Sequence, residues 1–223
     1  MPDRTLRIEQ VVTSGLFSID GEDFQVDNNI WLIGDDYEVI VIDAAHDASP
    51  IADAIGDRRL AGILCTHGHN DHINAAVDLK QRCNNAPIWL HAADSMLWNL
   101  VYPTKQPDHE LRDRASVAVA GATMTVLHTP GHSPGGVCLL LPGESQAPAP
   151  TPSPDRVFGG DTLFNGGPGA TGRSNSNFAT LIDSITRTLF VLDGATIVHT
   201  GHGPNTTIGA ELPNLNDWIA RGH

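Results

Sequence analysis

The side chains best suited to chemistry are gathered in Thr66-His-Gly-His-Asn-Asp-His72, which holds His67, His69, Asp71 and His72. Neutral imidazoles and a carboxylate packed this closely are costly unless something binds them, and together they suit zinc or iron. His67 and His69 are alternate residues and can point the same way from an extended loop, while Asp71 and His72 can turn toward a neighbouring point as a helix begins. The cluster by itself leaves a coordination shell incomplete. Three further stretches offer donors: His132 within Thr129-Pro-Gly-His-Ser-Pro-Gly-Gly136, Asp161 after the run Arg156 to Gly160, and His202 within His199-Thr-Gly-His-Gly-Pro204.

The elements that must position these residues can be read from period and punctuation. Leu6 to Val12 suits a first strand, with a turn-rich patch from Asp20 to Asp27 after it. Asn29 to Gly34 and Tyr37 to Asp43 suit a hairpin joined by Gly34-Asp35-Asp36. Ser49-Pro50 supplies an N-cap and first-turn proline for a helix to about Gly56. Leu60 to Cys65 is a short apolar strand that runs into the histidine cluster, and Ile73, Ala76, Val77 and Leu79 give the next helix one apolar face. Further strands are expected at Pro87–Leu90, Ala115–Val119, Thr123–His128, Val137–Leu141, Arg156–Gly160 and Thr196–Val198. Helices are expected at Ala92–Leu100, across Phe178–Phe190 and at Pro213–Ala220. His67, His132, Asp161 and His202 thus each follow the C-terminal end of an apolar strand, in loops rich in Gly and Pro. Ligands offered from several strand ends can converge on one rim.

With 223 residues, 40% hydrophobic and 17% charged, the chain suits one globular domain over 1–223. Residues 142–154, with five prolines, read as a flexible loop tip. A net charge of -13 disfavours nucleic acid as a partner. The three cysteines, Cys65, Cys83 and Cys138, are odd in number and widely spaced, so neither a disulfide framework nor a cysteine metal site is indicated. The N-terminus lacks an apolar core and no run approaches membrane-spanning length, from which a cytoplasmic location and no membrane partner are expected. Oligomeric state is not encoded in any of these features.

In this order and at these separations, the four motifs Thr66–His72, Thr129–His132, Gly160-Asp161-Thr-Leu-Phe and Gly201-His202-Gly-Pro resemble the metallo-β-lactamase superfamily, and within it the glyoxalase II-like (hydroxyacylglutathione hydrolase-like) hydrolases. The match runs from the hairpin at Asn29 to Thr207. The resemblance implies an α/β fold, an αββα sandwich of two mixed sheets flanked by helices, with two divalent metal ions on one edge. Carried onto this sequence, His67, His69 and His132 would hold one metal, Asp71, His72 and His202 the other, and Asp161 would bridge them. Asp71 and Asp161 are the carboxylates expected to take part in catalysis. Zinc is the first expectation for the metal, with iron or manganese as alternatives. Asp43 resembles the family's strand-end aspartate and could orient a metal-bound histidine; capping a turn is an equal alternative. His128 is a further candidate for such support.

A hydroxide shared by two divalent ions is a nucleophile near neutral pH, and a thiolate leaves with little protonation, so the expected reaction is hydrolysis of a small-molecule thioester. In glyoxalase II a C-terminal helical region supplies glutathione-binding cations; such a region is not expected after His202 here, so the resemblance does not imply specificity for the glutathione ester. The expectation therefore extends to other thiols such as mycothiol, with a lactoyl or formyl group. Arg173, the only cation of the loop Asn165 to Asn175, could pair with a substrate carboxylate. The rival readings are a lactonase or β-lactamase, and a persulfide dioxygenase with a single iron. A non-enzymatic scaffold is disfavoured by the intact ligand set.

Overall fold

The computed structural model describes residues 4–143 and 153–222. Most of the proline-rich segment 142–154 lies outside the described residues. Two six-stranded sheets face each other, with helices on both outer faces. This is the αββα sandwich.

The first sheet is built from β1 (Arg7–Ile19), β2 (Glu22–Gly34), β3 (Glu38–Ile42), β4 (Arg59–Leu64), β5 (Ile88–Leu90) and β6 (His109–Glu110), in that spatial order. Pairing is antiparallel as far as β3 and parallel from there on. Its helices are α1 (Ala48–Ile55), α2 (Asn70–Ile73), α3 (Ala76–Arg82) and α4 (Ser95–Val101). The second sheet has the order β14-β13-β10-β9-β8-β7, from β7 (Ser116–Val119), β8 (Ala122–His128), β9 (Val137–Leu141), β10 (Arg156–Gly160), β13 (Ile197–Thr200) and β14 (Thr206–Thr207). The small ribbon β11 (Leu163–Phe164) and β12 (Gly167–Pro168) follows Asp161. The helices α5 (Phe178–Ser184), α6 (Ile208–Glu211) and α7 (Leu215–Arg221) complete the chain.

The central strands read as unbroken apolar runs because both of their faces are buried. Ile30, Leu32, Val39 and Val41 face the helices of the first sheet, whereas Trp31, Ile33, Ile40 and Ile42 face the second sheet. The same alternation divides Leu127 and Cys138, packed toward α5 and α7, from Val126 and Leu139 between the sheets. Each fully buried side chain of this size contributes about 1.5–3 kcal/mol relative to its exposed state. Cys65 and Cys138 are buried free thiols within this packing, and Cys83 is half-buried. No described helix is long and apolar enough to cross a membrane.

Three elements differ from the expectation. The patch from Asp20 to Asp27 is a turn only at Asp20-Gly21, where φ is 52° and 78°. Two consecutive left-handed residues match the twist of a two-residue hairpin, and Asp-Gly suits it. β1 and β2 therefore pair over their whole length, from Arg7 opposite Gly34 to Ile19 opposite Glu22. The expected helix after the histidine cluster is divided into α2 and α3, and the one across Phe178–Phe190 passes from α5 into a wider turn over Ile185–Leu189.

Between the sheets, His199 stacks on Phe158 at 4.8 Å and packs on Trp31 at 4.5 Å. Burial, aided by the Arg156 charge, lowers its pKa from 6.5 to about 4. The unfolded chain takes up a proton as pH falls below 6.5, while the folded chain resists down to about 4, so this stabilisation is complete above 6.5 and lost on acidification. His199→Gln is expected to lose less stability than wild type between pH 7 and pH 4.5, the gap changing by about 2–3 kcal/mol. Urea unfolding across that range measures it; parallel curves would exclude His199 as the titrating group.

Candidate metal centre

The rim is assembled where strand ends of the two sheets meet. β4 delivers His67 and His69, α2 carries Asp71 and His72, and the β8–β9 loop carries His132. Asp161 follows β10 and His202 follows β13. Direct bonds clamp the sheets here: Val137 N–H donates to Thr66 O at 2.8 Å, Asn29 N–H to Gly201 O at 2.8 Å, and Trp31 Nε1–H to Thr200 O at 3.1 Å. The positions also require small residues. A Cβ at Gly201 would lie 2.3 Å from Asp161 Oδ1 and 2.8 Å from His72 Cε1.

All seven candidate ligands come together. Ligand atoms of His67, His69 and His132 lie within 4.8 Å of one another, as do those of Asp71, His72 and His202, and a third such group, His67, His72 and Asp161, spans the two. Asp161 Oδ1 is 3.3 Å from His72 Nε2, and its Oδ2 is 3.6 Å from His132 Nε2 and 3.4 Å from His202 Nε2. Asp71 Oδ2 is 3.5 Å from His72 Nε2 and 3.4 Å from His202 Nε2.

The outer nitrogens of four of these rings are pinned by acceptors. His72 Nδ1 meets Asp43 Oδ2 at 2.9 Å, His132 Nδ1 meets Ala170 O at 2.8 Å, and His202 Nδ1 meets Asp27 O at 2.8 Å. Thr66 Oγ1 donates to Asp43 Oδ2 at 2.7 Å, which leaves it to accept from His67 Nδ1 at 3.1 Å. With protons held at Nδ1, each Nε2 turns a lone pair inward, and His72 Nε2 and His202 Nε2 stand only 3.2 Å apart. Buried His67 Nε2, His69 Nε2, Asp71 Oδ1 and Asp161 Oδ1 have no hydrogen-bond partner. Lone pairs facing one another beside orphaned carboxylate oxygens need a cation between them, and a metal ion fits this donor set.

The electrostatics have the same sense. Burial would lower His72, but the carboxylates of Asp161, Asp71 and Asp43 outweigh it and hold the ring well above its usual pKa. His202 is raised to about 10 against burial, through Asp161 and Asp71. Burial would raise Asp161, yet His72 and His202 hold it well below the carboxylate range. Burial first, and then neighbouring imidazoles, depress His67 far below 6.5 and His69 to about 3, so these two stay neutral as ligation requires.

Asp43 accepts from Thr66 N–H at 2.7 Å as well as holding His72 and the Thr66 hydroxyl, and it adopts φ 58° to do so. His128 Nε2 meets Pro134 O at 3.0 Å and its ring stacks on His91, so its contact is with the backbone of the His132 loop. Arg173 has a partner inside the protein: its guanidinium pairs with Glu22 at 2.6 Å and lies over the Phe24 ring. That ion pair ties the Gly-rich loop to the tip of the β1–β2 hairpin.

Two residues were not anticipated from the sequence. Asn28 is fully buried, and its Nδ2 donates to Asp71 Oδ2 at 3.1 Å while lying 3.3 Å from His72 Nε2. A polar Asn28-Asn29 pair opening an apolar strand was the available signal. Asp94 is also fully buried and accepts from Gly68 N–H at 2.8 Å, Ser133 Oγ–H at 2.7 Å and Gly135 N–H at 2.5 Å. It joins the loop bearing His67 and His69 to the loop bearing His132, although burial raises its pKa. Nothing in its local sequence marks that role.

Removing one support should loosen the ligands without unfolding the sheets. Asp43→Asn and Asp94→Asn are each expected to weaken metal binding by about 10–100-fold, measured by competition with a chromophoric chelator. Unchanged affinity in both variants would mean that the ligand loops hold their geometry without these carboxylates.

Residues 24–146 match the family model described as "Metallo-beta-lactamase superfamily". The probable metallo-hydrolase YqgX of Bacillus subtilis is 31% identical over 208 residues, covering 86% of this chain and 93% of that protein. The hydroxyacylglutathione hydrolase GloC of Haemophilus influenzae is 32% identical over 199 residues, covering 82% and 89%. Among solved structures, TTHA1623 in a di-iron-bound form superposes with a TM-score of 0.69 at 28% identity, over 84% of this chain and 93% of that one. Sequence, fold and the histidine–aspartate cluster therefore agree that the chain belongs to the metallo-beta-lactamase superfamily.

Proposed function

We propose that the protein hydrolyses the thioester of a low-molecular-weight thiol at a centre of two divalent metal ions. The observation that carries the two-ion reading is Asp161, whose oxygens reach histidines of both ligand groups. His67, His69 and His132 would hold one ion, Asp71, His72 and His202 the other, with the Asp161 carboxylate between them. When bound, such ions lower the pKa of a coordinated water to about 7 and polarise a carbonyl oxygen. The GloC relative, named a hydroxyacylglutathione hydrolase, supports a thioester as the substrate.

The chain's own residues set the conditions for that reaction. Asp71 and Asp161 bring two negative charges into a buried cluster, which would offset part of the charge of the ions and strengthen their binding. Asp43, Thr66, Ala170 and Asp27 keep protons on the outer nitrogens of His72, His67, His132 and His202, which fixes the tautomers of these four rings and leaves their Nε2 atoms to ligate. Phe17 lies 5.3 Å from the His69 ring, so the hairpin packs against that side of the site. A thiolate departs without an acid group to protonate it, and the mechanism asks for none.

Chelation should abolish hydrolysis of an S-acyl thiol and zinc, iron or manganese should restore it, with elemental analysis giving two ions per chain. His69→Ala, Asp71→Ala and His202→Ala are each expected to lose at least about 100-fold in kcat/KM. Full activity in any of the three would exclude the two-ion centre. Hydrolysis of nitrocefin or a homoserine lactone in preference to thioesters would move the assignment to β-lactamase or lactonase chemistry. One iron per chain with oxygen uptake on glutathione persulfide would replace it by a dioxygenase.

A further inference from the structure

Beside His69 the site continues into a pocket of about 140 Å³, walled by Gly68 and His69, by Leu97, Leu100 and Val101 of α4, and by Ile19 of the hairpin. Its other lining residues are polar, but several of their polar groups are already engaged. Asn70 accepts from Ser18 N–H at 2.9 Å and donates to Leu16 O at 2.8 Å, and Ser18 Oγ–H donates to Asp23 at 2.6 Å. Asp20 accepts from Ser174 N–H at 3.1 Å. What remains for an occupant is chiefly the aliphatic surface of Leu97, Leu100 and Val101.

Charge and size narrow the occupant further. No lysine or arginine lines the pocket, Asp20 stands at its edge, and nearby Arg173 is paired with Glu22. A carboxylate placed there would meet a like charge with no countercharge from the lining. The pocket's volume is close to the roughly 150 Å³ of an aliphatic cavity that holds a benzene molecule, and it is open to solvent on one side, so its sheltered part suits a short acyl chain. A peptide-sized thiol carrier does not fit it, whereas the acyl end of a thioester does.

Taking the thioester reading as its basis, we propose that this pocket selects an uncharged, apolar acyl group of about four to six carbons, with the thiol carrier lying outside it. In the reaction the acyl C–S bond breaks and a C–O bond forms from water. The acid is released from the pocket and the thiolate takes its proton from solvent.

Metal-loaded protein should be assayed on S-acyl-N-acetylcysteamine esters, whose thiol is small and uncharged, with acetyl, butyryl, hexanoyl, decanoyl and succinyl groups. The expected kcat/KM rises by about fourfold per methylene from acetyl to hexanoyl, falls at decanoyl, and is at least about tenfold lower for succinyl than for butyryl. Leu97→Trp, which fills the pocket, and Leu100→Asp, at a position 81% exposed where folding is little at risk, should each lower the hexanoyl-to-acetyl ratio by about tenfold or more. A flat or falling series, or equal rates for succinyl and butyryl, would overturn the proposal. Hydrolysis of none of the esters would count against the thioester reading instead. The pocket is then judged by ligand-observed NMR with hexanamide: binding to wild type that is lost in Leu97→Trp supports it, and no binding to wild type overturns it.

Discussion

The arrangement depends on a repulsion: unprotonated imidazole lone pairs and carboxylate oxygens are aimed at one another, and only a proton or a cation shared among them relieves it. His72 Nε2 and His202 Nε2, 3.2 Å apart, are the sharpest instance. Such a cluster persists only where the surroundings hold each ring in place, because any free rotation would relieve it. Asp43, Thr66, Ala170 and Asp27 provide that restraint from outside. Protons and metal ions compete for the same lone pairs, which is why His72 and His202 are shifted toward protonation while Asp71 and Asp161 are shifted toward ionisation. The fold has in effect concentrated negative potential where a cation is to bind.

Two sheets rather than one are needed to maintain it. His67, His69, Asp71 and His72 belong to the first sheet and its helix, while His132, Asp161 and His202 belong to the second. A relative slip of one sheet would separate the ligands of each triad, since both triads draw from both sheets. The bonds from Val137 to Thr66, from Asn29 to Gly201 and from Trp31 to Thr200 oppose that slip at the rim itself. Asp94 adds a buried carboxylate that three donors from two ligand loops converge on. The apolar layer of Trp31, Ile40, Val126, Leu139 and Phe158 holds the sheets together, and the polar clamps set their register.

Much of this was legible because the informative residues are local. A strand followed by several donors within seven residues can be recognised without knowing what lies across from it, and the same holds for single donors after apolar strands in Gly-rich loops. The Asp20-Gly21 turn was also local, and reading Asp20–Asp27 as a long turn overlooked that Asp-Gly alone suffices to reverse a chain. Asp94 and Asn28 are of another kind. Their importance comes from contacts 26 to 43 residues away in sequence, such as Gly68, Ser133 and Asp71, and neither residue type nor spacing encodes a partner at that distance. Arg173 shows the same limit: a lone cation in a loop reads as a ligand for substrate until Glu22, on a strand far off in the chain, is seen beside it.

That ion pair also bears on how one metal cluster serves different reactions. A hydroxide and a polarised carbonyl are common to thioester, lactone and lactam hydrolysis, so the ligands alone do not distinguish among them. Discrimination falls to the walls, which here are the β1–β2 hairpin, α4 and the loop that follows Asp161. The hairpin brings Phe17 against His69, binds Asn70 through Leu16 and Ser18, and reaches the Gly-rich loop through Asp20 with Ser174 and Glu22 with Arg173. A wall tied at so many points is a preformed boundary, and with its polar groups turned to one another it presents chiefly shape and apolar surface beside His69. A site whose ligand half is all charge is thus bordered on the His69 side by a largely aliphatic surface, and under the proposed thioester reading this contrast would turn the carbonyl toward the ligands and an apolar chain toward α4.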